Sequence, residues 1–311
     1  MRTAFFQELH ELAKDHNDIV LLTADLGFQL FDEFRAKNPN RFFDVGVAET
    51  SMIGIASGLA LCGKVVYCYT IIPFLIMRAY EHIRLDAAHH NLNVKLVGVG
   101  GGFTYGMEGF THFGLEDLAL MRVLPNMTVV APADPIEARC LAKISYETQG
   151  PMYIRLGKSG DPIIHPTRPD FRLGKALWMT EGKNVAIFAM GSMVLAVIQA
   201  REILRKRGLC PTLVNMHTLK PLDKEAIIQI AKTHDIILSV EEHRVEGGLG
   251  TAIGEILLEI RYNGFYKKIG IPDRLEKTIG CTDFLRHLYG LSPERIAETV
   301  WKTAKTGDKE I

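Results

Sequence analysis

Val94-Lys-Leu-Val-Gly-Val99 runs directly into Gly100-Gly-Gly-Phe-Thr-Tyr-Gly-Met-Glu108-Gly-Phe-Thr-His112. The first six residues have the composition of a buried strand, and the glycines that follow mark a loop. Short β-branched runs of the same kind recur at 19–23, 65–69, 128–131, 152–155, 185–189, 212–215 and 236–240, with helix-length amphipathic segments between them. Strands that alternate with crossover helices form parallel sheets, so the chain is expected to be α/β. Such sheets place ligands in the loops at the carboxyl ends of their strands, and the loop after 94–99 is a site candidate on that ground. Its glycines would let the backbone approach a substrate closely. They fit neither a dinucleotide fingerprint nor a P-loop, so nucleotide binding is not indicated.

Between the two groups of runs lies Gly157-Lys-Ser-Gly-Asp-Pro-Ile-Ile-His-Pro-Thr-Arg-Pro169, rich in Gly and Pro and without periodicity. It predicts a linker that divides the chain into parallel-sheet domains over 1–165 and 166–311. With 311 residues and 47% hydrophobic content, two cores can be built. Asp134-Pro-Ile-Glu137 joins an N-cap acid, a proline at the first helical position and a glutamate at the third, predicting a helix to about residue 146. Ser192 and Gly208 bracket another helix.

Thirty-six Lys plus Arg balance thirty-six Asp plus Glu without a long block of either sign, so neither nucleic acid nor an anionic membrane is an expected partner. The apolar tract 51–77 is interrupted by Lys64 and Pro73, too broken for a bilayer span. Charges near the N-terminus leave no secretory apolar region, and five cysteines form no CxxC pair. Reduced core thiols and a cytoplasmic location are expected. The histidines and acids show no metal-ligand spacing, so no metal ligand is assigned to this chain.

In Asp44-Val-Gly-Val-Ala-Glu49-Thr-Ser, Glu49 precedes Met52, Ile55, Ala56 and Leu59 at helical spacing and sits at a helix N-terminus after a short strand. A first-turn acid favoured by the helix dipole, worth about 0.3–1 kcal/mol, is one reading. The other is an acid held among Val45, Val47, Met52 and Ile53, which must find a partner or keep its proton. Phe74 stands where the strand 65–69 exits, as a core aromatic or as a face for a planar heterocycle. Arg155 ends the run 152–155, available for a surface ion pair or for a phosphate. Glu241-Glu-His243 with Gly247-Gly is expected to form a structural turn at an interface.

In order along the chain, Ala24-Asp25-Leu26, Val45-Gly-Val-Ala-Glu49, the aromatic run after Tyr69, Glu108-Gly-Phe-Thr-His112, Arg122-Val-Leu-Pro-Asn-Met-Thr-Val-Val, Pro132-Ala-Asp-Pro, Tyr153-Ile-Arg155 and Glu241-Glu-His resemble the C-terminal half of a transketolase. The resemblance covers nearly the whole chain. The same architecture serves 1-deoxyxylulose 5-phosphate synthases and the beta chains of 2-oxoacid dehydrogenases. It implies that Glu49 bonds the aminopyrimidine nitrogen of thiamine diphosphate and favours the imino tautomer that removes the thiazolium proton. It also implies that Phe74 stacks on the pyrimidine, with Tyr80 and Asp25 close to the cofactor. His112 would contact the substrate oxygen and share the catalytic role with Glu49. Glu108 would read a sugar hydroxyl, and Arg2 and Arg155 would hold a sugar phosphate. Phe113 follows His112 where Gln is usual, Glu108 replaces Asp, and Gly100-Gly-Gly102 replace a substrate-binding His. No Gly-Asp-Gly segment with a downstream Asn occurs to hold the diphosphate with Mg2+ or Ca2+. The resemblance therefore implies a partner subunit, equivalent to the N-terminal half, in an α2β2 assembly. The chain would be the beta subunit of an enzyme moving a two-carbon ketol unit between sugars, with a decarboxylating enzyme as the alternative.

Overall fold

A computed structural model describes residues 1–158, 160–274 and 277–306. Its strands are β1 (Ile19–Thr23), β2 (Phe42–Asp44), β3 (Val65–Ile71), β4 (Val94–Val99), β5 (Thr128–Val130), β6 (Met152–Leu156), β7 (Leu177–Thr180), β8 (Asn184–Ala189), β9 (Thr212–Asn215), β10 (Thr218–Lys220), β11 (His234–Arg244) and β12 (Phe265–Ile271). One sheet has the order β10-β5-β6-β4-β3-β1-β2, the other β12-β11-β8-β9-β7. Pairing is parallel throughout, apart from β10 against β5 and β7 against β9. The strands β1, β3 and β4 are buried along their whole length, which is why, apart from Lys95, they read as near-continuous apolar runs.

Helices α1 (Arg2–Asp15), α2 (Asp32–Lys37) and α3 (Glu49–Leu61) precede a π turn at Phe74–Arg78, the short α4 (Tyr80–His82) and a second π turn at Ile83–His89. Then follow α5 (Asp117–Arg122), α6 (Pro135–Glu147), α7 (Met193–Lys206), α8 (Lys224–Ala231), α9 (Leu249–Glu259), α10 (Thr282–Leu288) and α11 (Pro293–Thr306). Asp134 caps α6 by accepting from the Glu137 amide at 2.8 Å, and Glu137 accepts from the Ala133 amide at 2.8 Å. Ser192 gives α7 no side-chain cap and donates to Glu242 at 2.9 Å instead.

Among the described residues between Leu156 and Leu177, where the linker is expected, there is neither helix nor strand, yet the two halves are not separate. Met121, Leu124 and Val129 share one apolar core with Leu219, Leu249 and Ile253, and β10 crosses back from beyond the linker to edge the first sheet. Glu241-Glu-His243 lies inside β11, not in a turn. Cys68 and Cys140 are buried, whereas Cys62, Cys210 and Cys281 are exposed, which corrects the expectation of core thiols for those three.

Candidate active site

The register sets Thr23 beside Asp44 and Tyr69, and Ile71 beside Val99, so the loops leaving β1, β2, β3 and β4 share one edge of the sheet. Asp44 ties two of these loops by accepting from the backbone amides of Asp25 at 2.9 Å and Gly46 at 3.0 Å. The chain then enters α3, whose first residue is Glu49. Only 3% of Glu49 is exposed, and the buried Met52 and Ile53 follow it. Its carboxylate accepts from an Arg78 guanidinium nitrogen at 3.0 Å. Arg78 closes the π turn after β3, and its guanidinium carbon lies 4.3 Å from the centroid of the Phe74 ring. The His112 ring packs against the same ring in a T-shaped contact with centroids 5.0 Å apart, and Thr111 Oγ1 lies 2.9 Å from His112 Nδ1. Glu49, Arg78, Phe74 and His112 are therefore contiguous at one sheet edge.

Arg78 escaped the sequence reading. A signal was present, because it is the only charge between Lys64 and Glu81 in an otherwise apolar stretch. Of the other expected residues, Asp25 is exposed after β1 with a positive φ of 52°, and Glu108 is exposed in the loop after β4. Tyr80 is half-buried and donates to the Leu120 carbonyl at 3.0 Å, so its hydroxyl anchors the π segment to α5. Arg2 opens α1 beside Tyr69, whose hydroxyl lies 3.4 Å from one guanidinium nitrogen, while the buried Arg2 Nε has no partner among the described residues. Burial pushes the Tyr69 phenol up to about 12, partly offset by Arg2.

Arg155 departs most from expectation. It is 6% exposed, and its Nε donates to Asp117 at 2.8 Å while one terminal nitrogen donates to the carbonyls of Gly114 at 2.7 Å and Glu242 at 2.9 Å. Tyr153 bonds the same Asp117 oxygen at 2.6 Å. These donors are spent inside the protein, so the geometry gives Arg155 a structural task at the join between halves. The nearby glycines serve that join too. A Cβ on Gly101 would stand 2.9 Å from the Arg155 guanidinium, and one on Gly102 would stand 2.3 Å from Glu242, so the close approach is to buried side chains. Glu242 accepts from Arg286 at 2.8 and 2.7 Å and from the Phe103 amide at 3.3 Å. Burial works to raise its carboxyl, but the Arg286 and Arg155 charges outweigh burial and hold it below the usual range.

Among the described residues one cluster has metal-ligand proximity, Asp134, Glu137 and His165. All four of its carboxylate oxygens already accept hydrogen bonds from the protein. Asp134 accepts from the amides of Glu137, Ile164 and His165, and Glu137 accepts from Asn215 at 2.7 Å and pairs with His165 Nε2 at 2.6 Å. The cluster is a clasp joining α6, the linker and β9.

Residues 1–160 match the family profile of the transketolase pyrimidine binding domain, and residues 174–296 match that of the transketolase C-terminal domain. A putative transketolase C-terminal section of Methanocaldococcus jannaschii is 37% identical over 98% of this chain and 96% of its own length. An apulose-4-phosphate transketolase subunit of Phocaeicola vulgatus is 35% identical over 98% of this chain and 97% of its own. A 1-deoxy-D-xylulose-5-phosphate synthase of Caldanaerobacter subterraneus is 34% identical, with 97% of this chain covering 48% of that protein. The fold is similar to a structure solved as a split gene transketolase, inactive beta4 tetramer, with a TM-score of 0.89 and 36% identity over 98% of each chain. By profile, identity and fold together, this chain belongs to the transketolase family and corresponds to its pyrimidine-binding and C-terminal domains.

Proposed function

We propose that the chain supplies the pyrimidine side of a thiamine diphosphate site in a transketolase that moves a two-carbon ketol unit between sugars, working with a partner subunit. The observation that carries this reading is the contact of a buried carboxylate, Glu49, and an aromatic face, Phe74, with one planar nitrogen group. A flat N–H-bearing group fits there, as the Arg78 guanidinium demonstrates. When bound, the cofactor supplies the carbanion chemistry that breaks and forms the carbon–carbon bond. Glu49 would hold the proton shared with the pyrimidine nitrogen, kept from water by its burial. Phe74 would orient the ring by stacking. His112, packed against Phe74, would hydrogen-bond the substrate oxygen as negative charge develops. Asp25 and Tyr80 would flank the cofactor, the first from the β1 loop and the second by bracing the π segment. Arg2 and Glu108 are the substrate contacts that the reading assigns to this rim.

The diphosphate and its divalent ion, Mg2+ or Ca2+, are assigned to the partner in an α2β2 assembly in a cytoplasmic setting. The loops of this sheet edge expose Phe28, Val47, Met77, Met107 and Phe110, apolar side chains suited to burial against another protein domain. The test is to assemble the chain with a subunit carrying the diphosphate site and assay ketose donors with aldose acceptors, thiamine diphosphate and Mg2+. Ketol transfer without release of carbon dioxide is the expected outcome. Carbon dioxide release from pyruvate would instead favour a synthase reaction, consistent with the synthase relatives. Calorimetry of the chain alone should show negligible binding of thiamine diphosphate, and micromolar binding would remove the partner from the reading.

A further inference from the structure

We infer that Arg78 is an internal stand-in for the cofactor's pyrimidine, occupying its place on Glu49 and Phe74 until the cofactor displaces it. The inference rests on the pyrimidine-site reading. A guanidinium is planar, delocalised and an N–H donor, the features by which an aminopyrimidine would be held between a carboxylate and an aromatic face. Arg78 makes both contacts at once, 3.0 Å to the Glu49 carboxylate and 4.3 Å over the Phe74 ring. One side chain therefore satisfies the two partners that the ring requires.

The two members of the ion pair differ in their access to water. The Glu49 side chain is 3% exposed and that of Arg78 is 47% exposed. A buried carboxylate left alone is costly, whereas a half-exposed guanidinium can return to solvent at little cost. Arg78 can therefore leave when a better partner arrives, and while it stays it gives the buried acid a cationic partner. Occupancy by Arg78 and occupancy by the cofactor ring exclude each other, so Arg78 acts as a gate on cofactor entry.

The test uses the full chain assembled with its diphosphate-binding subunit, saturating Mg2+ and thiamine diphosphate as the probe. Association rate is followed by stopped-flow circular dichroism and Kd by calorimetry, for wild type, Arg78→Met and Arg78→Lys. Loss of a cation–π contact and a partly exposed ion pair should make Arg78→Met bind about tenfold tighter, chiefly through a faster association rate. Arg78→Lys, which keeps the charge and loses the plane, should fall between the two and carries the test if the methionine variant does not fold. Unchanged or weaker binding in the folded variants overturns the stand-in and makes Arg78 a permanent partner of Glu49. Exchange of the thiazolium proton separates this failure from failure of the reading itself. If Glu49→Gln leaves that exchange at the wild-type rate, the pyrimidine site and the stand-in fall together.

Discussion

Glu49→Gln is nearly isosteric and removes the charge that a ring-nitrogen proton requires. We predict loss of turnover, with thiazolium proton exchange slowed by orders of magnitude. Stability should fall by less than about 1 kcal/mol, because Arg78 can turn to water, and thermal unfolding with exchange monitored by NMR reads both effects. Arg155→Ala should behave in the opposite way. It leaves Asp117 buried without its cation and frees two carbonyls, so about 3–5 kcal/mol of stability should be lost. Denaturant midpoints check this, and a stable variant with only a raised KM for phosphorylated substrates would return Arg155 to the substrate. The contrast shows what one sequence position discloses. Glu49 is legible because its apolar neighbours are close in sequence, at Met52 and Ile53. The partners of Arg155, at Asp117, Gly114 and Glu242, are set by the fold, and no local pattern announces them.

At the scale of elements, the strands buried on both faces and the capped helix α6 were legible, since composition and capping act locally. The π turn at Phe74–Arg78 was not, because a widened turn breaks the 3.6 periodicity by which helical faces are read. That is why Phe74 could be named and Arg78 missed. The strands β7, β10 and β12 were also missed, being short or carrying charges such as Lys267 and Lys268. Between β9 and β10 the wholly buried His217 stacks on Phe171 of the linker at 3.9 Å, and burial holds its imidazole down to about 4. In the unfolded chain the ring takes its proton near the ordinary value of about 6.5. Between those values the unfolded chain binds a proton that the folded chain refuses, so stability falls as pH drops through this window, by at most about 3 kcal/mol. Urea midpoints at neutral and mildly acidic pH should show a smaller acid loss for His217→Gln than for wild type. Equal losses in the two proteins would exclude His217 as the source.

For the whole molecule, the Gly- and Pro-rich linker marked a division that packing then bridges. A shared core, the Asp134–Glu137–His165 clasp, the Arg155 and Glu242 contacts and strand β10 all cross it. We predict that a chain cut at a protease site engineered into 157–163 stays as one particle in size-exclusion chromatography and separates only in denaturant. Fragments that part under native conditions would contradict this picture of the interface. The position of β10 also carries a temporal consequence. The first sheet has all its own strands once Leu156 is made, but its edge at β5 stays open until Lys220 leaves the ribosome. At roughly 5–20 residues per second that interval lasts about 3–13 s. During synthesis the nascent first half therefore offers an unpaired strand edge, and chaperone demand should peak in this window, before the second half is complete.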